Sequence, residues 1–347
     1  MNRTVSLFLL ATLALGTSLV VLSKHWFPTW LGLELSTLSL LPILNLNTWS
    51  RGNEATLKYF LVQAFSAAIL LNGAILNLWI TGNWEISSTQ DPLVHSTITL
   101  ALIIKLGLAP CHFWFPDVLS GLTFNNGIII ACWQKIAPLF LLVNLNSFVL
   151  SELIITCSVL SALIGAWGGL NQVSIRKILA YSSIGHMGWI SCTTFFSGET
   201  AILLFAFYLL NNVLIFCICN TKDLYSLSSL SKVNSNPTSA LLFSLALLSL
   251  GGLPPLGGFI NKLIPLSIFT LNNSLLIIPL FITASLMSLY FYLRVTFNTS
   301  LTLFPQNSLG LLTSRSLTNS TQLFIISALA PLTIWGLLLI PAFYLFI

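Results

Sequence analysis

Lys105 stands inside the apolar run ITLALIIKLGLAPCHFWFPD (residues 98–117), five residues ahead of Pro110. An ammonium at the centre of a bilayer costs roughly 3 kcal/mol on insertion scales, so a lysine there needs a task. Pro110 has no backbone donor and interrupts the helix just past the charge, leaving carbonyls that need protein or water partners. Charge beside a broken helix at membrane depth is how ion-conducting sites are built. The pattern recurs: Lys262 follows the interruption LGGLPPLGGF, and Lys135 in GIIIACWQKIAPLF stands three residues before Pro138. Glu34, at the end of HWFPTWLGLE, is a carboxylate in a similar setting. Together these groups suit proton transfer. His186, deep in ILAYSSIGHMGWIS, titrates near neutral pH and suits a relay, and His112 beside Pro110 is a shallower candidate. The bland alternatives are a structural Lys105–Glu34 ion pair, an interfacial Lys135, a water-exposed Lys262 and a neutral, hydrogen-bonded His186.

The elements that must position these groups are membrane helices. Of 347 residues, 56% are hydrophobic and 6% charged, whereas a soluble domain carries about 25% charged residues. With a mean hydropathy of +0.94, the chain reads as an all-α polytopic membrane protein. Apolar runs near 3–22, 26–48, 56–80, 92–117, 122–146, 150–171, 174–196, 200–220, 238–270, 274–298 and 322–346 predict about eleven transmembrane helices. The N-terminal run continues to Leu22 without a small-residue cleavage site and is read as the first span. The fourth and ninth helices should be discontinuous near 110 and 254. They are five helices apart, so the corresponding helices run in opposite directions. That spacing suggests two inverted five-helix repeats, 3–146 and 150–298, plus a C-terminal helix at 322–346, in one antiporter-like domain spanning 1–347.

Charge placement sets the expected orientation. Arg3, Arg51, Lys58, Arg176, Lys177, Lys222, Lys232, Arg294 and Arg315 fall on the N-terminal side, and only Lys24 falls opposite, with Glu85, Asp91, Glu152 and Glu199. The positive-inside rule puts the N-terminus in the cytoplasm or matrix and the C-terminus outside. Of the 13 basic residues, removing those ten leaves Lys105, Lys135 and Lys262. Of the 8 acidic residues, removing the four outside and Glu54, Asp117 and Asp223 inside leaves Glu34. Unpaired, these four would together cost on the order of 10 kcal/mol. His25 and His95 look interfacial, and Trp26, Trp30 and Trp84 suit an aromatic belt. The six cysteines form no CxxC pair and read as small hydrophobes. No GxGxxG, P-loop, iron–sulfur array or spaced histidine pair for haem is present, so no cofactor is expected on this chain.

The runs HWFPTWLGLE (25–34), KYFLVQA (58–64), KLGLAPCHFWFPD (105–117) and WQKIAP (133–138) carry a family resemblance, as do WGGLNQVSIRKILAYSSIGHMGW (167–189), LSLGGLPPLGGF (248–259) and LYFYLR (289–294). In this order they resemble chain 2 of mitochondrial NADH:ubiquinone oxidoreductase, with the last fifty residues matched only weakly. The resemblance implies an antiporter-like core subunit of the membrane arm of respiratory complex I, distantly similar to Mrp-type sodium/proton antiporters. Such a subunit lies in the mitochondrial inner membrane, N-terminus in the matrix and C-terminus in the intermembrane space. It moves protons as electrons pass from NADH to ubiquinone. NADH, FMN, iron–sulfur clusters and ubiquinone then belong to other subunits. The implied partners are other membrane-arm and accessory subunits, the lipid bilayer, protons and water, and no nucleic acid. The family's intramembrane proton path of one glutamate and three lysines maps onto Glu34, Lys105, Lys135 and Lys262. Bacterial relatives are expected to carry three additional N-terminal helices. A stand-alone cation/proton antiporter and a purely structural membrane-arm subunit remain as alternative readings.

Overall fold

The computed structural model describes residues 3–45, 50–89, 91–145, 151–230, 237–301, 320–334 and 336. Among these, the regular structure is helical, with only two isolated bridges, His25 to Glu85 and Ser174 to Ser226. The helices in chain order are α1 (Arg3–Leu22), α2 (Trp26–Leu44), α3 (Ser50–Thr81), α4 (Pro92–Leu106), α5 (Trp114–Gly121), α6 (Phe124–Ala131) and α7 (Ile136–Asn144). They continue as α8 (Ser151–Leu170), α9 (Ile175–Phe196), α10 (Gly198–Thr221), α11 (Pro237–Gly251), α12 (Ile260–Leu271), α13 (Ile277–Leu301) and α14 (Ser320–Ile334). Among the described residues, seven helical stretches are long and apolar enough to cross a membrane, and four shorter apolar helices accompany them. Helices satisfy their own backbone polar groups, which hydrocarbon requires.

Large apolar side chains face outward, such as Phe8, Phe65, Leu271 and Leu276, as a lipid-facing surface demands. Inside, small residues let backbones approach. A Cβ on Gly16 would lie 2.7 Å from the Gly32 carbonyl, which seats α1 on α2. A Cβ on Gly165 would lie 2.6 Å from the Gly185 nitrogen, which seats α8 on α9. Loops gather at the two ends of the bundle. Residues 24–26 pair with 84–86 through Trp26 N–H to Trp84 O (2.9 Å) and Ile86 N–H to Lys24 O (3.0 Å). Residues 173–175 pair with 225–227 through Ile175 N–H to Tyr225 O (3.2 Å) and Leu227 N–H to Val173 O (3.1 Å).

Both expected breaks are present and share one local design. α4 stops at Leu106, Gly107 turns left-handed at φ 71°, and the Gly107 and Leu108 amides return to the carbonyls of Ile104 and Ile103 at 3.1 Å each. α11 stops at Gly251, Gly252 turns left-handed at φ 72°, and the Gly252 and Leu253 amides return to Ser249 (2.9 Å) and Leu248 (3.4 Å). In the sequence these are Gly-Leu-Ala-Pro (107–110) and Gly-Leu-Pro-Pro (252–255). Glycine closes the helix without a Cβ penalty and the following proline prevents its resumption.

One expected helix is corrected. The run 122–146 is not continuous: α6 ends at Ala131, a single 3₁₀ turn spans Trp133–Lys135, and α7 begins at Ile136. Pro138 has no amide to offer the Gln134 carbonyl, so the chain tightens just where Lys135 sits. Residues 231–236 with Lys232, residues 302–319 with Arg315, and positions 337–346 of the expected terminal helix lie outside the described residues.

Candidate proton-transfer site

Lys105 projects from the last turn of α4 and is only 4% exposed. Its Nζ donates to the Gln63 carbonyl of α3 at 3.5 Å. Glu34, on α2, is half-buried, and its Oε2 accepts from Thr37 Oγ1 at 3.5 Å. A direct Lys105–Glu34 ion pair is not formed. Among the described residues, the ion pairs within 4.0 Å are those of Lys58 with Glu54 (2.6 Å) and Asp117 (3.2 Å), at the surface.

Lys135 lies in the 3₁₀ turn and is 3% exposed, enclosed by protein. No carboxylate pairs with it among the described residues. Its Nζ donates to Tyr208 Oη at 3.2 Å and stands 4.4 Å from the centroid of the Phe115 ring on α5. The Tyr208 hydroxyl in turn donates to the Ala131 carbonyl, the last of α6, at 3.2 Å. The break after α4 and the kink at Lys135 therefore meet: Phe115 is the second residue of α5, directly after the first break.

His186 is buried in α9, its Nε2 hydrogen-bonded to Tyr292 Oη of α13 at 3.3 Å and its ring 6.0 Å from that of Tyr208. His186, Tyr292 and Lys262 border a cavity of about 20 Å³, room for about one water. Lys262, near the start of α12, is buried too, and its Nζ donates to the Gly251 carbonyl at 2.6 Å. The ammonium thus caps the C-terminus of α11, where the helix dipole favours a cation. His112 is also buried, but its Nδ1 bonds the Pro110 carbonyl at 3.1 Å and its ring lies 4.1 Å from that of Phe113, inside the turn itself. His95 is not an exposed interfacial residue: it is buried and bonds the Leu145 carbonyl at 3.2 Å. Trp26 is likewise fully buried rather than part of a belt, while His25 is exposed.

Sequence reasoning confined to charges and histidines passed over the neutral members of this row. Tyr208, Tyr292 and Gln63 supply its hydroxyls and carbonyl, and Ser249 Oγ donates to Asn211 Oδ1 at 2.8 Å, tying α10 to α11 one turn before the second break. The signal was present in FAFYLLNN (205–212), a tyrosine and two amides in an apolar run. Polar groups in hydrocarbon are as costly to strand as they are to overlook.

Buried cations on interrupted helices in an all-helical bundle define a transmembrane ion-translocating subunit. The family model described as "NADH:quinone oxidoreductase/Mrp antiporter, TM" matches residues 23–288. That described as "NADH dehydrogenase subunit 2 C-terminus" matches 289–344, so the end of the chain is better matched than its motifs suggested. The chain is 45% identical over 350 residues to NADH-ubiquinone oxidoreductase chain 2 of Pisaster ochraceus, covering 99% of each. It is 48% identical over 332 residues to that of Strongylocentrotus purpuratus, covering 95% of this chain and 93% of the relative. A chain of Thermus thermophilus respiratory complex I superposes with a TM-score of 0.82 at 27% identity, over 98% of this chain and 80% of that one. The Mrp complex of a Dietzia species shares the fold at a TM-score of 0.75 and 17% identity, over 86% and 60% of the two chains. The chain belongs to the NADH-ubiquinone oxidoreductase chain 2 family.

Proposed function

We propose that Glu34, Lys105, Lys135 and Lys262, with His186 between the last two, carry protons through the membrane arm of the complex. The chain is a membrane-arm subunit of a proton-translocating NADH:ubiquinone oxidoreductase, in the mitochondrial inner membrane. Oxidation of NADH and reduction of ubiquinone, with FMN and the iron–sulfur clusters, belong to other subunits. Its neighbours are the other membrane-arm subunits, accessory subunits and lipid.

The observation that carries this reading is the polar row Lys135–Tyr208–His186–Tyr292, which ends at a one-water cavity beside Lys262. Each group can donate or accept, and hydroxyls do both. Buried ammonium groups lacking carboxylate partners are held by weak acceptors and ring faces, so small changes in neighbouring charge can move their protons. His112 serves the first break as a turn-closing residue rather than a relay.

Two finer features complete the reading. Counting each broken pair as one span gives eleven crossings, with the N-terminus in the matrix and the C-terminus in the intermembrane space. Residues 3–146 and 150–298 are two inverted repeats, supported by the shared glycine-capped breaks at 107 and 252. The stand-alone antiporter alternative draws on Mrp-like proteins, to which the likeness is one of fold. In reconstituted complex, Lys105→Met should leave assembly and flavin-site NADH oxidation intact while lowering the membrane potential formed per electron. Wild-type potential and wild-type quinone-linked turnover in that variant would return Lys105 to a structural role.

A further inference from the structure

Where α3, α5 and the start of α9 meet, an open cavity of about 410 Å³ is lined by Arg51, Glu54, Lys58, Asp117, Arg176 and Lys177. Its carboxylates are accessible, with Glu54 and Asp117 side chains 62% and 50% exposed, and both hold Lys58. The next residue along α3, Tyr59, is fully buried, and its hydroxyl has no hydrogen-bond partner. Beside it, the Trp114 ring lies 6.2 Å away, and its Nε1 also lacks a partner. The same indole packs on Gly107, where a Cβ would meet its Cζ2 at 3.4 Å, two residues from Lys105. One turn beyond Tyr59 on α3, the Gln63 carbonyl accepts from Lys105. From Lys58 to Gln63 the helix rises only about 7–8 Å.

Two unpartnered polar atoms inside a bundle call for water or a proton-carrying partner, because buried polar groups are otherwise satisfied. Tyr59 stands on α3 between Ala55 and Lys58, which line the open cavity, and Gln63, whose carbonyl accepts from Lys105. We propose that Tyr59 is a relay residue, through which protons pass between this cavity and Glu34 and Lys105. In the step, a protonated water (hydronium) on the cavity side gives a proton to a lone pair of Tyr59 Oη and is left as neutral water. Oη releases its own proton to a second water, which passes it on toward Glu34 and Lys105. One O–H bond forms as another breaks, the phenol stays neutral, and rotation about its C–O bond resets it. Lys58, clamped by Glu54 and Asp117, keeps those carboxylates at the mouth.

This inference rests on the reading that Glu34 and Lys105 carry protons, and its test separates the two. Tyr59→Phe keeps the ring against Trp114 and deletes only an unpaired hydroxyl. The complex should assemble to wild-type amounts with unchanged NADH oxidation to an artificial acceptor. The initial rate of proton translocation should fall by about tenfold or more, and quinone-linked turnover should fall with it. Lys105→Met is measured alongside. If it abolishes pumping while Tyr59→Phe pumps at the wild-type rate, the relay is overturned and the underlying reading survives. If Lys105→Met pumps normally, the underlying reading itself fails. A Tyr59→Phe complex that does not assemble also overturns the relay, since the hydroxyl would then be structural.

Discussion

Gly252 decides where Lys262 can stand, and replacing it with alanine is a direct test of that lysine's position. Its φ is +72°, and an added Cβ would lie 2.7 Å from Lys262 Cδ, 2.9 Å from Cε and 3.2 Å from Nζ. A non-glycine residue in the left-handed region costs about 1–2 kcal/mol. The lysine stem must also swing away, which breaks its 2.6 Å bond to the Gly251 carbonyl. A hydrogen bond to a charged group contributes about 1.5–3 kcal/mol, so Gly252→Ala should cost roughly 2.5–5 kcal/mol locally. Gly107→Ala is the matched control. It has the same left-handed φ of 71°, but its Cβ would make only ordinary contacts, with the Trp114 ring at 3.4 Å and Phe115 Cβ at 3.6 Å. The control should lose about 1–2 kcal/mol and leave its neighbouring lysine in place. The assay is membrane potential in reconstituted complex, beside NADH oxidation to an artificial acceptor. Gly252→Ala should pump markedly less than Gly107→Ala at equal flavin-site activity. Equal pumping by the two variants would refute the reasoning that Lys262 must sit on the end of α11.

Glu34→Gln should resemble Lys105→Met, with assembly retained and pumping lowered; a potential equal to wild type would show that its charge is dispensable. Tyr208→Phe removes the hydroxyl that accepts from Lys135 and donates to Ala131, a loss of about 1.5–3 kcal/mol for the ammonium, and proton translocation measured in liposomes should drop while flavin-site oxidation does not. Ser249→Ala deletes a bond between α10 and α11 and should lower the thermal stability of the purified complex slightly, by about 0.6–1.7 kcal/mol; no change in melting would mean that Asn211 finds another partner. Protease or tag accessibility in mitoplasts should reach the C-terminus from the intermembrane space, and cleavage only from the matrix side would reverse the proposed orientation.

Composition and the order of residues along the chain set the class of solvent and the positions of the charges. Apolar runs without compensating polarity have one stable environment, and proline beside glycine ends a helix whatever surrounds it. For this reason the breaks at 107–113 and 252–256 were legible from Gly-Leu-Ala-Pro and Gly-Leu-Pro-Pro. Lys105, Lys135 and Lys262 were legible too, because few charges are present and each costs several kcal/mol in hydrocarbon. What each lysine touches was decided only by tertiary structure. Lys105 reaches Gln63, 42 residues away, rather than Glu34, and Lys135 reaches Tyr208, 73 residues away. Such pairings depend on how far each helix is rotated about its axis, and that rotation is set by close contacts such as Gly73 of α3 on Thr97 and Ile98 of α4, and Gly127 of α6 on Phe216 of α10. The kink at Lys135 depends on Pro138 and on what fills the space beside it, and a hydropathy pattern cannot register it. Neutral hydroxyls and carbonyls carry no charge to count, so the row through Tyr208, His186 and Tyr292 exists only once α9, α10 and α13 are packed together.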